Sequence, residues 1–231
     1  MRNVSPPSEN SLGGRSMRRR KFLGLCALTL AVAVSATDRA AMAESRDRPL
    51  LPGEARDMVK ALGDAAVTML SNQQLSQPEK TRRFRHLLNQ SFALRGIARF
   101  ALGRYWRRSD FAQRRRYLVL FEDYIVNSYA ARFGNYSGES FIVVDESIDQ
   151  RGWATVKTRI QRPGGEPVEV IWHLRERLGA VRIVDVVVEG ISMSLTQRSD
   201  FAAAVRTAGG DMDAFLDTLE AKVRKIKGVA K

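Results

Sequence analysis

Between residues 154 and 188 the side chains alternate in character, and this alternation constrains the fold more than any other feature. Ala154, Val156, Thr158 and Ile160 alternate with Thr155, Lys157 and Arg159. After Pro163, Gly164 and Gly165, the residues Val168, Val170, Trp172 and Leu174 alternate with Glu169, Ile171, His173 and Arg175. A period of two is β geometry, because successive side chains leave opposite faces. The Pro-Gly-Gly connection reads as a hairpin turn and is far too short for a parallel crossover, so these strands are antiparallel neighbours. Leu178, Gly179 and Ala180 form a second turn, and residues 181–188 make a nearly continuous apolar strand. With residues 141–148 ahead of them, at least four strands are expected. One face is apolar and one largely polar, so the sheet needs cover on one side.

The flanking segments change to a helical period. Leu51, Pro52 and Gly53 open a helix whose Met58, Leu62, Ala66 and Met69 share a face. Ser76 and Glu79 have capping-box spacing, with Pro78 in the first turn of a helix that buries Phe84, Leu87, Leu88 and Phe92. A shorter helix carries Ile97, Ala101 and Leu102, and Gly103 ends or bends it. Ser109 is the expected cap of the longest helix. Its inner face is expected to carry Phe111, Leu118, Phe121, Ile125 and Tyr129, with Arg114, Arg115 and Arg116 on or beside the outer face. Beyond the strands, a helix over 197–207 presents Phe201 and Val205, and Gly209 or Gly210 ends it. Asp211 then caps a last helix with Phe215, Leu216, Leu219 and Val223 inward. Helices before and after a meander define an α+β class, with helices packed on one face of a curved antiparallel sheet.

The N-terminus has a different purpose. Residues 17–21 read MRRRK, residues 22–36 are an apolar run, and Ala41-Met42-Ala43 is a small-x-small cleavage site. This order is a secretory signal peptide over 1–43. The apolar run falls short of the about 20 residues a membrane span needs. Arg19, Arg20, Phe22 and Leu23 also suit twin-arginine export, so that route and the Sec route both remain open. Residues 1–16 are polar, and Met17 reads as an alternative start. Residues 44–231 are then expected to form a single domain, long enough for a sizeable core. The only cysteine, Cys26, lies inside the leader, so the exported part has no disulfide framework. The leader holds seven Lys/Arg and two Asp/Glu, which leaves +8 of the net +13 on the exported part. A basic exported surface fits anionic lipid or an acidic partner, and export argues against nucleic acid.

Residues with catalytic potential are few. The two histidines, His86 and His173, have no ligand spacing, and without cysteine a zinc site lacks donors. Neither a glycine-rich phosphate loop nor a GxSxG elbow is present. Asp185 interrupts the apolar strand, as a general base in a pocket would. A structural carboxylate bonded to nearby arginine or backbone explains it more simply. Arg104, Arg107, Arg108, Arg114, Arg115 and Arg116 flank Trp106, either as a solvated face or as a docking surface. Alternation assigns Val156, Ile160, Val170, Trp172 and Leu174 to the inward sheet face, with Val184, Val186 and Val188 beside them. Phe121, Ile125 and Tyr129 are expected to close the opposite wall, with Phe133 near the mouth. A closed core and a ligand tunnel explain this apolar set equally well.

Three stretches resemble the MlaC (toluene-tolerance) family. One is LGRYWRRSDFAQRRRYLVLFEDYIVNSY, residues 102–129. Another is YSGE, residues 136–139, and the third is RIVDVVVEGISMSLTQRSDF, residues 182–201. Gly209-Gly210 and the Leu-rich last helix fit as well. The chain departs from the family's usual Trp-Lys pair, carrying Val181-Arg182 there. The resemblance implies an NTF2-like sheet with helices enclosing an apolar pocket for acyl chains. It implies a monomeric, non-enzymatic periplasmic phospholipid shuttle without a cofactor. Its implied partners are an inner-membrane ABC transporter complex and an outer-membrane lipoprotein complex, in a system that maintains outer-membrane lipid asymmetry. A hopanoid-associated branch shares the pattern. An NTF2-like small-molecule enzyme using Asp185 is the alternative from another class.

Overall fold

The computed structural model describes residues 50–177 and 179–229, so the leader lies outside the described residues. Helices α1 (Glu54–Ser71), α2 (Gln77–Ser91), α3 (Leu94–Leu102), α4 (Arg104–Arg108) and α5 (Phe111–Ala130) precede a 3₁₀ turn, Phe133–Asn135. Strands β1 (Ser140–Ile148), β2 (Trp153–Arg162), β3 (Gly165–Arg177), β4 (Ala180–Val188) and the short β5 (Ile191–Ser192) follow. Helices α6 (Met193–Thr207) and α7 (Met212–Val229) complete the chain.

The strands form one antiparallel sheet in chain order, β1-β2-β3-β4-β5. Hairpins connect the long strands because Pro163-Gly164 separates Arg162 from its partner Gly165, with Gly164 at φ 70°. Glu189 and Gly190 both take positive φ, 49° and 81°, the backbone of a primed two-residue turn. That turn adds β5, which the sequence pattern did not mark, and the helix after it starts at Met193 rather than at the expected 197. Register shifts at Val143/Asp145, Ile160/Arg162 and His173/Leu174 break the ladder in each long pair, and such bulges bend strands and raise their twist. The result is a curved, open α+β sheet.

Two apolar clusters hold the molecule together. In the first, Leu50, Ala55 and Val59 pack on Ala154, Val156, Leu174 and Ile183. Gly63 brings α1 so close to the sheet that a Cβ there would meet the Phe141 ring. The second cluster is a helical bundle in which Tyr117, Phe121, Phe201, Phe215 and Leu216 interlock. Ala93 N–H donates to Ile183 O at 2.9 Å, so the α2–α3 junction covers a stretch of β4 that β5 leaves open.

Capping explains most helix starts. The box of Ser76 and Glu79 forms as its spacing demands. At α5 the cap is Asp110, boxed with Gln113, and not Ser109. The Ser109 hydroxyl instead donates to Tyr105 O at 2.9 Å and ends the preceding turn. Asp211 accepts from Asp213 N and Ala214 N at the start of α7. The inner face of α5 also differs from expectation. Phe111 is 80% exposed, while Tyr117, Leu120, Phe121, Val126 and Ala130 are buried. Helix α5 packs on α2 along one side and on α7 along another, so it has no single apolar stripe to read.

Candidate functional site

The inward sheet face is built in rungs. Val156, Trp172 and Val186 stand opposite one another, as do Thr158, Val170 and Val188, and Ile160 pairs with Val168. Where α1 packs, Ala154, Val156, Leu174 and Ile183 are fully buried. Farther along, Ile160, Val168, Trp172, Val186 and Val188 are only half-buried, while Thr158 and Val170 between them stay buried. The face is apolar except for Thr158 and is sealed at one end. Trp172 Nε1 donates to Thr158 Oγ1 at 2.8 Å, and Thr158 Oγ1 donates to Val170 O at 3.2 Å, so the indole's one polar atom is satisfied within the wall. Phe92 and Phe141 meet that indole edge-on, at 6.5 and 6.1 Å between centroids.

Helix α2 spans the facing side. Phe84 meets Phe133 at 5.1 Å and Tyr129 at 6.4 Å, Leu88 is buried midway, and Phe92 lies on Trp172. One helix face thus joins two aromatic groups over about 12 Å. Burial raises the Tyr129 hydroxyl pKa, with Arg132 opposing, although Tyr129 keeps 38% of its surface exposed. The α2 wall is clamped in place. Arg85 reaches Glu122 Oε1 and Asp123 Oδ1 on α5, both at 2.6 Å, and Lys227 of α7 reaches Asp123 Oδ2 at 2.8 Å. Burial opposes ionisation of Asp123, but Lys227 and Arg85 together outweigh it and hold the carboxyl below its ordinary range.

The residues singled out in the sequence fall into three groups. Val156, Ile160, Val170, Trp172, Leu174, Val186 and Val188 share the inward sheet face, and Tyr129 and Phe133 stand in the aromatic group with Phe84. Phe121 is 1% exposed inside the helical bundle, packed on Tyr117 and Phe201, and Ile125 packs against the same bundle. Val184 falls within the bulge and lines a cleft on the outer side of the sheet with Asp185, while Ile183 takes the inward place. Phe84, Phe92 and Phe141 were not marked as lining, although helical spacing placed the first two on one face. Tyr117 was also missed. It lies one turn before Phe121, and its hydroxyl donates to Ala98 O at 2.9 Å, while burial raises its pKa well above the usual value.

The polar candidates resolve into structural contacts. Asp185 accepts from the Ser192 hydroxyl and, at 3.0 Å, from Ser194 N at the start of α6, so both its oxygens serve a helix N-terminus. Arg116 pairs with Asp217 and Glu220 at 2.7 and 2.6 Å. Arg114 Nε donates to Trp106 O and its guanidinium lies over that ring, and Arg104 lies over Tyr105. Arg114 thus ties α5 to α4, and Arg116 ties α5 to α7. Among the described residues no helix is long and apolar enough to cross a membrane.

Fold and interior together define an α+β protein whose curved sheet carries a half-open, largely apolar wall. A phospholipid-binding protein from Ralstonia solanacearum, solved in complex with a phospholipid, has the same fold. The TM-score is 0.64 at 16% identity, covering 74% of this chain and 97% of that one. The MlaC protein family model matches residues 60–221, and the chain belongs to that family.

Proposed function

We propose that the chain is a periplasmic phospholipid carrier. The acyl chains lie between the inward sheet face and α2, with Trp172, Val186 and Val188 on one wall and Phe84, Tyr129 and Phe133 towards the mouth. The observation that carries this is one largely apolar sheet face, sealed under α1, on which Trp172, Val186, Val188, Ile160 and Val168 are left only half-buried. Family membership and the fold shared with a phospholipid-bound protein support it.

The physics of a carrier suits such a wall. Each acyl CH₂ moved into water costs about 0.8 kcal/mol, so a two-chain lipid does not cross an aqueous space unaided. A wall as apolar as a bilayer makes exchange nearly neutral, and the lipid is both taken up and released. No catalytic group is required. The shuttle runs between an outer-membrane lipoprotein complex and an inner-membrane ABC transporter complex, which supplies the energy and thereby maintains outer-membrane lipid asymmetry. The signal peptide is removed after Ala43, leaving one lipid-binding domain.

Native mass spectrometry of periplasmic protein tests this reading. The expected species begins at Glu44 and carries one diacyl phospholipid, a mass that also separates phospholipid from hopanoid. Protein that stays empty after incubation with phospholipid vesicles would refute it.

A further inference from the structure

On the outer side of the sheet, α3, α4, the end of β3 and the start of β4 enclose a cleft of about 1380 Å³. The cations on its walls are Arg95, Arg99, Arg107, Arg175, Arg177 and Arg182, with no lysine among them. Elsewhere Arg56, Arg82, Arg85, Arg116 and Arg224 have acidic partners, and the other arginines outside the cleft are spread over the surface rather than gathered around one concavity. None of the six cleft arginines has a carboxylate at ion-pair distance among the described residues. Asp185 is the one carboxylate on the walls, and Ser192 and Ser194 already occupy it.

Unpaired like charges around one concavity raise its potential, and planar guanidinium forks match phosphate oxygens in pairs. Two of the six are held by aromatic faces. Arg99 lies 5.4 Å from the Trp106 ring and Arg175 lies 5.0 Å from the Trp153 ring. The walls are also partly apolar, through Phe92, Ile97, Leu118 and Val184. A bare inorganic anion gains nothing from those side chains, whereas a lipid phosphate brings the first methylenes of its acyl chains against them. Phe92 lines this cleft and also meets Trp172 edge-on, so it stands between the cleft and the interior.

We propose that this cleft is a second binding site, which takes the phosphate-bearing headgroup of an anionic lipid. Its occupancy does not require a loaded interior. The test compares Arg95→Gln/Arg107→Gln/Arg177→Gln with Arg151→Gln/Arg159→Gln/Arg206→Gln, which removes equal charge outside the cleft; all six positions are exposed. Binding is measured by flotation with phosphatidylglycerol or phosphatidylcholine vesicles at low salt. Wild type and the outside variant are expected to float with phosphatidylglycerol and not with phosphatidylcholine. The cleft variant is expected to bind roughly a hundredfold more weakly, about fivefold per arginine. The single variant Arg95→Gln, with its fivefold effect, serves where the triple variant does not melt with wild type. Equal loss in the two triple variants reports bulk charge and overturns the site. Inorganic phosphate binding as tightly as vesicles in a calorimetric titration overturns the lipid source. Capture of polyglutamate without any vesicle binding overturns it in favour of an acidic protein. Copurified lipid is weighed on the same samples, and the cleft variant is expected to keep its load. An empty interior with intact vesicle binding would sink the carrier reading and leave this site standing.

Discussion

Replacing Val186 by Trp separates a lipid-holding interior from a closed core. Val186 faces Trp172 across the β3–β4 ladder and is half-buried, whereas Val156 on the same rung is 0% exposed under α1. An indole at position 186 occupies the space of about four acyl methylenes. At roughly 0.8 kcal/mol each this removes about 3 kcal/mol of lipid binding, near a hundredfold in the loaded-to-empty ratio. The same indole at position 156 has no space to enter and overpacks the core, costing about 1–3 kcal/mol of stability. Stabilities are compared on delipidated protein, because bound ligand adds its own stabilisation. The load ratio comes from native mass spectrometry and stability from urea denaturation. Val186→Trp is expected to fold within about 1 kcal/mol of wild type and to lose its lipid. If Val186→Trp is destabilised as much as Val156→Trp while its lipid load stays at the wild-type level, the inward face is a closed core and the reasoning fails.

Three further outcomes follow from local geometry. A Cβ on Gly63 would stand 2.3 Å from the Phe141 ring, so Gly63→Ala sets a helix-propensity gain of about 1 kcal/mol against overpacking of about 1–3 kcal/mol. Net destabilisation in urea is expected, and net stabilisation would show that the ring yields freely. Asp123→Asn breaks the clamp between α2, α5 and α7 and is expected to cost about 1–2 kcal/mol at neutral pH. Because the folded carboxyl is held below its ordinary value of 3.8, this stability is present above that value and lost as pH falls through the folded one. Wild type and variant should therefore converge in acid, and a gap that persists there would contradict the pairing. Asp185→Asn weakens the start of α6 by about 1–2 kcal/mol without emptying the interior, and loss of lipid at unchanged stability would assign Asp185 to the ligand instead.

Local periodicity and capping were legible without coordinates, because both depend on neighbours within a few residues. Alternation over residues 154–174 determined the strands, their antiparallel order and the inward set Val156, Val170, Trp172 and Leu174. The Ser76–Glu79 spacing determined where α2 begins, and ordered motifs over residues 102–201 identified the family. Tertiary structure decided the rest. Residues 181–188 are apolar on both faces, so no pattern records the bulge opposite His173 that turns Val184 outward and gives Ile183 the inward place. The face of α5 that is buried depends on its two flanking helices, which is why Tyr117 is in the core and Phe111 in solvent. The arginine cleft gathers side chains from positions 95 to 182, and only the packing of α3 and α4 beside β3 and β4 makes them neighbours. A side chain's direction along one element is a local property, whereas its partner across a cavity is set by where another element comes to rest.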